Sequence, residues 1–300
     1  MEARKQRAAA RVNPSESSRM WFAMLGVELE APELQIGEIA TLRRVEEPPG
    51  EIELASALQD RSLMSAVGRY SSSIRAELGV ERLRPEHPQS ALTLGWWLIS
   101  ALRIKTLGDF LVPAVADHPW GTIAGLPETS CHVQLLEDVP RSRRLESVPA
   151  IAKSDLDWVE EHLASLAELL EVTRFRLAVE CLTTHQHEGS LRMTAASLWS
   201  GIEALFGVTS ELRFRLASLA AAFLAPRGDA RVQRYRETKR LYDVRSKVVH
   251  GAAIESDAVT QHVLLARQLL AELLSRMIEA GRVPAGDDWD AILHGEPPAN

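Results

Sequence analysis

Arg245 stands five residues before His250, and Gly251 follows at once, closing a strongly basic segment that runs Leu241-Tyr242-Asp243-Val244-Arg245-Ser246-Lys247-Val248-Val249-His250-Gly251. An arginine holds phosphate through a planar fork of donors, and a histidine moves protons near neutral pH. Together they could cleave an RNA backbone without a metal. A ribose 2′-hydroxyl would attack the adjacent phosphate, while His250 accepts its proton or protonates the leaving 5′-oxygen. Arg245 would stabilise the charge gathering on a phosphorane-like transition state.

Those residues need a helix and a helix end. Arg236, Lys239, Asp243, Ser246 and His250 recur at three or four positions, so a helix puts them on one polar face. Val232, Tyr235, Leu241, Tyr242, Val244, Val248 and Val249 fall on the other side, which is expected to pack inward. Arg245 and His250 are about 140° apart on an ideal helix and do not converge by helix geometry alone. Gly251, as a left-handed cap, would end the helix at His250 and free its imidazole to turn. Asp243 and Ser246 would then position the histidine or the substrate. Arg245, at the border of the two faces, needs an acidic partner, because burying an unpaired charge is costly. Glu203, flanked by Ile202, Ala204 and Leu205 on a preceding helix, is the expected one. A plainer reading competes: an arginine and a histidine near a helix C-terminus stabilise the helix dipole and nothing more.

The chain has 34 basic and 41 acidic residues, net −7. Between Arg213 and His250, however, ten basic side chains face only Asp229, Glu237 and Asp243. Arg231, Arg234, Arg236, Lys239, Arg240 and Lys247 are the candidates for RNA phosphate contacts, since a local excess of this sign steers and binds polyanions. No aromatic interleaving is visible along this segment, so no base-stacking platform is expected.

Other chemistries find little support. Gly95, Gly108, Gly121 and Gly125 make no phosphate loop, because no Gly-rich turn leads to a Lys-Ser/Thr helix start. His185-Gln186-His187 point to different sides of a helix and read as exposed helix-end histidines; His118 and His132 lack a partner pattern. No metal and no cofactor is expected. Cys131 and Cys181 are too few for a disulfide framework or a zinc site, and their scarcity fits a reducing cytoplasm. No apolar run reaches the roughly 18 residues of a membrane span, and no signal-peptide core follows the basic N-terminus. A cytoplasmic protein away from membranes is expected.

The fold class read from the pattern is α+β, mainly α: a mixed α/β domain over 19–150 and an antiparallel helical bundle over 151–282, between a flexible tail at 1–18 and a loose one at 283–300 that Trp289 pins. In the first domain, Met20–Leu29 reads as a buried strand, and Leu34–Leu42 alternates at the strand period. A helix is expected from Glu51 to Gly68 and another over Leu92–Thr106, with a strand at Cys131–Leu136. Near Arg141-Ser142-Arg143-Arg144 the character changes. One long helix capped by Ser154 should run to Gly189, followed by helices over Leu191–Phe206, Ser210–Ala225, the turn at Pro226 to His250, and Ser256–Ala280.

Two segments of this bundle, Trp199-Ser200-Gly201-Ile202-Glu203 and Tyr242-Asp243-Val244-Arg245-Ser246-Lys247-Val248-Val249-His250-Gly251, resemble the HEPN family, in particular its ApeA-like branch. That branch shows an aromatic-x-x-Ile-Glu helix and then Tyr-x-x-Arg-Ser-x-x-x-His-Gly. The resemblance covers about residues 151–282 and leaves the first domain unexplained. It implies a metal-independent endoribonuclease working as a homodimer, with Arg245 and His250 in a shared cleft, in a toxin or an antiviral-defence effector. Some HEPN toxins are silenced by modification of a tyrosine two residues beyond the histidine; Ala252 stands there in this chain, so that control is not expected. The alternative is a non-catalytic module on the same bundle, binding RNA, dimerising, or docking a protein such as an antitoxin.

Overall fold

A computed structural model describes residues 19–81, 90–138, 148–208, 211–249 and 254–295. The tail expected at 1–18, the break at Arg141–Arg144, and His250 with Gly251 lie outside the described residues. The protein is α+β and mainly α. It divides into two compact units, the first ending inside a helix at Glu160, later than the change of character near residue 151.

The first unit is built on an antiparallel sheet of β1 (Arg19–Met24), β3 (Glu33–Ile36), β4 (Ala40–Arg44), β5 (Ala76–Glu81), β6 (Ala114–Ala116) and β7 (Val133–Leu135), in the order β3-β4-β5-β1-β6-β7. β1 is central and buried on both faces, which is why Met20 to Met24 read as a continuous apolar run. It stops short of Leu29, and β2 (Glu28–Leu29) pairs in parallel with β8 (Ala150–Ile151) instead. The alternation over Leu34–Leu42 is a hairpin, not one strand. Leu34, Ile36, Ala40 and Leu42 are all buried, and the chain reverses after Gly37, whose φ of 51° suits a residue without a Cβ.

The helix expected over Glu51–Gly68 is two helices, α1 (Glu51–Ala57) and α2 (Met64–Ser71), with a 3₁₀ turn at Arg61–Leu63 between them. Tertiary pairing overrides the local pattern here. The amide of Cys131 donates to the Ala57 carbonyl at 2.8 Å, and that of Gln59 to the Cys131 carbonyl at 2.9 Å. Asp60 then accepts from the Ser62 amide at 2.9 Å and restarts the chain. In the core, Trp120 Nε1–H donates to the Trp21 carbonyl at 2.9 Å. Buried Glu77 pairs with Arg43 and accepts from the Trp120 amide, so its charge has partners, although burial still raises its pKa.

Two helices belong to both units: α3 (Ala91–Thr106) and α4 (Lys153–Leu169). The start of α4 is not capped by Ser154, which lies within the helix; the Asp155 carboxylate accepts from the Ala152 amide at 3.0 Å. Nor does one helix run to Gly189. Val172, at φ −82° and ψ 108°, leaves the helical region, and α5 (Thr173–Thr184) begins after it. The β-branched pair Val172-Thr173 is a weak place in such a helix.

The second unit continues with α6 (Leu191–Phe206), α7 (Leu212–Leu224), α8 (Asp229–Val249), α9 (Ser256–Glu279) and α10 (Asp287–His294). Ser190 caps α6, its hydroxyl accepting from the Met193 amide at 3.3 Å. The stripe Val263, Ala266, Leu270, Leu273 and Met277 of α9 is buried throughout. α5 packs along α6, α7 along α8, and α9 against α6. Gly201 makes the α6 packing possible: a Cβ there would stand 2.9 Å from Cys181 Cβ and 3.1 Å from Leu270. The described part of the tail after Arg282 is anchored at both ends, where Arg174 meets its start and Arg227 donates to the carbonyls of His294 and Gly295. Arg174 donates to the carbonyls of Val283 and Pro284, and α10 buries Trp289 beside Phe206 and Phe223.

Only part of the inward side expected of α8 is buried. Val248 is fully covered, Val232 is 46% exposed, and the remainder are half-buried. Thr238 is the other buried residue of this helix, so its contact stripe is narrow and polar side chains dominate its surface.

Candidate active site

Trp199 and Glu203 are four apart on α6, and Tyr242 and Arg245 three apart on α8, so each pair shares a helix face. The two faces meet. Arg245 Nη2 lies 2.9 Å from Glu203 Oε1, with the two side chains only 19% and 24% exposed. The contact is an ion pair without an aligned hydrogen bond, because buried Glu203 Oε1 and Arg245 Nε have no hydrogen-bond partner among the described residues. The guanidinium donor left without a partner, Nε, is itself buried. Burial raises the Glu203 pKa, and Arg245 partly offsets that rise.

The arginine is further located by an aromatic stack. Its guanidinium carbon sits 5.5 Å from the Tyr242 ring centre, a cation–π distance. Tyr242 meets the ring of Trp199 edge-on at 5.3 Å, and fully buried Trp199 donates its Nε1–H to His262 Nε2 at 3.0 Å. That bond requires His262 to be neutral with its proton on Nδ1. Burial pushes its pKa down to about 4, so it stays neutral at physiological pH. Arg192, on the first turn of α6, donates to the Val248 carbonyl at 2.6 Å and so satisfies one of the carbonyls left over where α8 ends. Sequence reasoning identified neither Arg192 nor His262; each acts across helices, where spacing within one helix carries no signal.

The supporting residues divide. Asp243 is turned to α7, gripped by Arg213 through two contacts of 2.5 Å that hold its carboxyl below the usual range. Ser246 is half-buried, and its hydroxyl makes no hydrogen bond among the described residues. Of the basic stripe, Arg231 caps α7 by donating to the carbonyls of Ala225 and Ala222, and Arg234 pairs with Glu272 of α9. Both are committed to holding the helices. Arg236, Arg240 and Lys247 are exposed, and the Lys239 ammonium lies 5.4 Å from the Tyr235 ring centre.

An aromatic surface that reading along the chain missed is also present. Phe214 of α7 is 59% exposed and meets Tyr235 of α8 at 6.3 Å. Twenty-one positions separate them, and only the α7–α8 packing brings them together. That pair sets an exposed ring on the basic segment, where no base-stacking platform is expected from the sequence.

Two histidine-bearing clusters elsewhere have structural explanations. His185 is buried, not exposed, with Nδ1 donating to the Leu182 carbonyl at 2.6 Å. Asp117, His118 and Cys131 place potential metal-ligating atoms within 4.8 Å of one another. The Asp117 carboxylate already accepts from the His132 amide at 2.9 Å and lies 2.8 Å from His118 Nδ1. Burial pushes the Cys131 thiol up to about 12, so it remains protonated.

No family model, curated protein or solved structure matches the chain. No helix among the described residues is long and apolar enough to cross a membrane.

Proposed function

We propose that this protein is a metal-independent endoribonuclease of the HEPN type, with Arg245 as the phosphate-binding group and His250 as the proton-transfer group. One observation carries the reading most: Arg245 is paired with Glu203 on α6 and backed by Tyr242, yet its side chain stays partly exposed. A dipole-stabilising arginine at a helix end needs neither a half-buried carboxylate nor an aromatic shelf. Such supports are what hold a side chain in one productive orientation.

The chemistry follows from the residue types. Binding of the scissile phosphate by Arg245 counters charge that grows in the transition state, and the planar fork suits two oxygens. His250 removes the proton from the 2′-hydroxyl or supplies one to the departing 5′-oxygen. The two tasks call for two histidines in opposite protonation states, which a two-fold dimer supplies. Toxin or antiviral-defence effector is the biological role this reading favours, with an antitoxin as the partner of the dimer. The test is incubation of the purified protein with mixed RNA in excess EDTA. Wild type should cut, whereas His250→Ala should lose ~10²–10⁴-fold in rate; cleavage by that variant at the wild-type rate would sink the assignment.

A further inference from the structure

The α7–α8 packing forms a cavity of about 660 Å³ lined by Glu211, Arg213, Phe214, Tyr235, Lys239 and Tyr242 among others. We propose that it is a subsite for an unpaired nucleobase of single-stranded RNA, with Phe214 as the stacking surface and Lys239 meeting a flanking phosphate. This rests on the endoribonuclease reading for its position but not for its chemistry. Two independent features support it. A phenylalanine 59% exposed is poorly placed for folding, yet its ring is oriented by Tyr235 at 6.3 Å and 74°. An exposed aromatic beside cations is the arrangement that binds single strands, because every base has a π-face. Lys239 is held over Tyr235 and makes no ion pair among the described residues, whereas Arg213 is tied to Asp243 and leans against the same cavity.

The cavity also has a route to the proposed chemistry. Tyr242 lines it and carries the Arg245 guanidinium 5.5 Å from its ring centre, so the cavity extends to the side chain that backs the arginine. Duplex RNA, whose bases are stacked and paired, could not fill it without being opened. The preferred substrate is thus an unpaired stretch, read by stacking with little base identity. Glu211, with φ 51° at the cavity edge, adds an acidic acceptor that disfavours a phosphate at that end.

The experiment measures binding of a labelled single-stranded 12-mer RNA in EDTA by fluorescence anisotropy, against the same strand with abasic sites and the same sequence as a duplex. Stacking of one base contributes roughly 5- to 150-fold in affinity, so wild type should prefer the strand with bases over the abasic strand by a factor in that range. Phe214→Ala should remove that preference and leave abasic binding unchanged; Phe214→Trp should keep it; Lys239→Ala should weaken both strands alike. Phe214 is exposed, so its loss should not unfold the protein, and circular dichroism checks this. Equal preference in Phe214→Ala and wild type overturns the subsite. So does a Phe214→Ala protein that changes only from dimer to monomer in sedimentation, which would make the patch a contact between copies of the chain. Failure of the two readings separates cleanly. A base preference lost in Phe214→Ala, without any cleavage by wild type, keeps the subsite and rejects the ribonuclease. Histidine-dependent cleavage with KM unaffected by Phe214→Ala keeps the ribonuclease and rejects the subsite.

Discussion

Removing the guanidinium of Arg245 would leave Glu203 in a half-buried site with no cation beside it. Full burial of such a pair would make its rupture cost more, but at 19% and 24% exposure water shares the charge. Arg245→Ala is therefore expected to lower stability by about 1–3 kcal/mol, between the surface and interior limits, and to abolish cleavage. Arg245→Lys should recover most of the stability and little of the activity, because an ammonium lacks the planar fork. Denaturant titration beside the cleavage assay separates the two; equal loss of both in the lysine variant would contradict the assigned role. His262 gives a second residue-scale prediction. Its folded pKa, about 4, lies below the usual 6.5, so its contribution is fully present above pH 6.5 and is lost as pH falls through 4. The linked destabilisation approaches roughly 3 kcal/mol at the acid end. His262→Gln keeps an acceptor for Trp199 without titrating, and its stability should fall less steeply from pH 6.5 to 4; identical profiles would show that His262 does not titrate in this way. Glu203 was legible in the sequence because an isolated carboxylate among apolar neighbours on a helix demands a cation. The ion pair of Asp243 with Arg213 was not legible, because the arginine lies on another helix and thirty positions away.

At the scale of the element, Gly201 sets how closely α6 approaches its neighbours. Gly201→Ala would drive a methyl into Cys181 and Leu270, which are backed by packed helices and cannot easily give. The expected cost is about 1–3 kcal/mol in stability, with a further loss of activity as Glu203 and Trp199, on the same helix, shift against α8. A thermal melt unchanged from wild type would mean that the helices are not packed this tightly. Helix positions were the best-read feature of the chain: α6 matched at both ends, and the buried stripe of α9 followed the 3.6-residue period. The misread elements share a cause. The hairpin of β3 and β4, the division of Glu51–Gly68, and the break at Val172 are set by a left-handed glycine, by pairing with Cys131, and by a weak helical junction. None of these alters the hydrophobic period by which elements are recognised.

At the scale of the molecule, two histidines in different protonation states are needed, and one chain supplies one His250. The account predicts a two-fold dimer pairing α6 and α8 with their counterparts, seen as twice the monomer mass in sedimentation at micromolar concentration. A strict monomer with full cleavage activity would contradict the composite site. The α+β, mainly helical class was legible from the change of pattern along the chain, whereas the buried network of Trp21, Trp120 and Glu77 that holds the sheet together was not, since its members lie on separate elements. The basic stripe was legible as a run of charge, but not that Arg231 and Arg234 hold α7 and α9, a role that charge counting along a chain cannot distinguish from binding.

The most direct test of the central claim is to incubate wild type and His250→Ala with single-stranded RNA in excess EDTA and identify the fragment ends. Attack by the 2′-hydroxyl predicts 2′,3′-cyclic phosphates from wild type, undiminished by the chelator, and none above background from the variant. Cleavage that stops with EDTA, or that persists in His250→Ala, would place the active site elsewhere in the molecule.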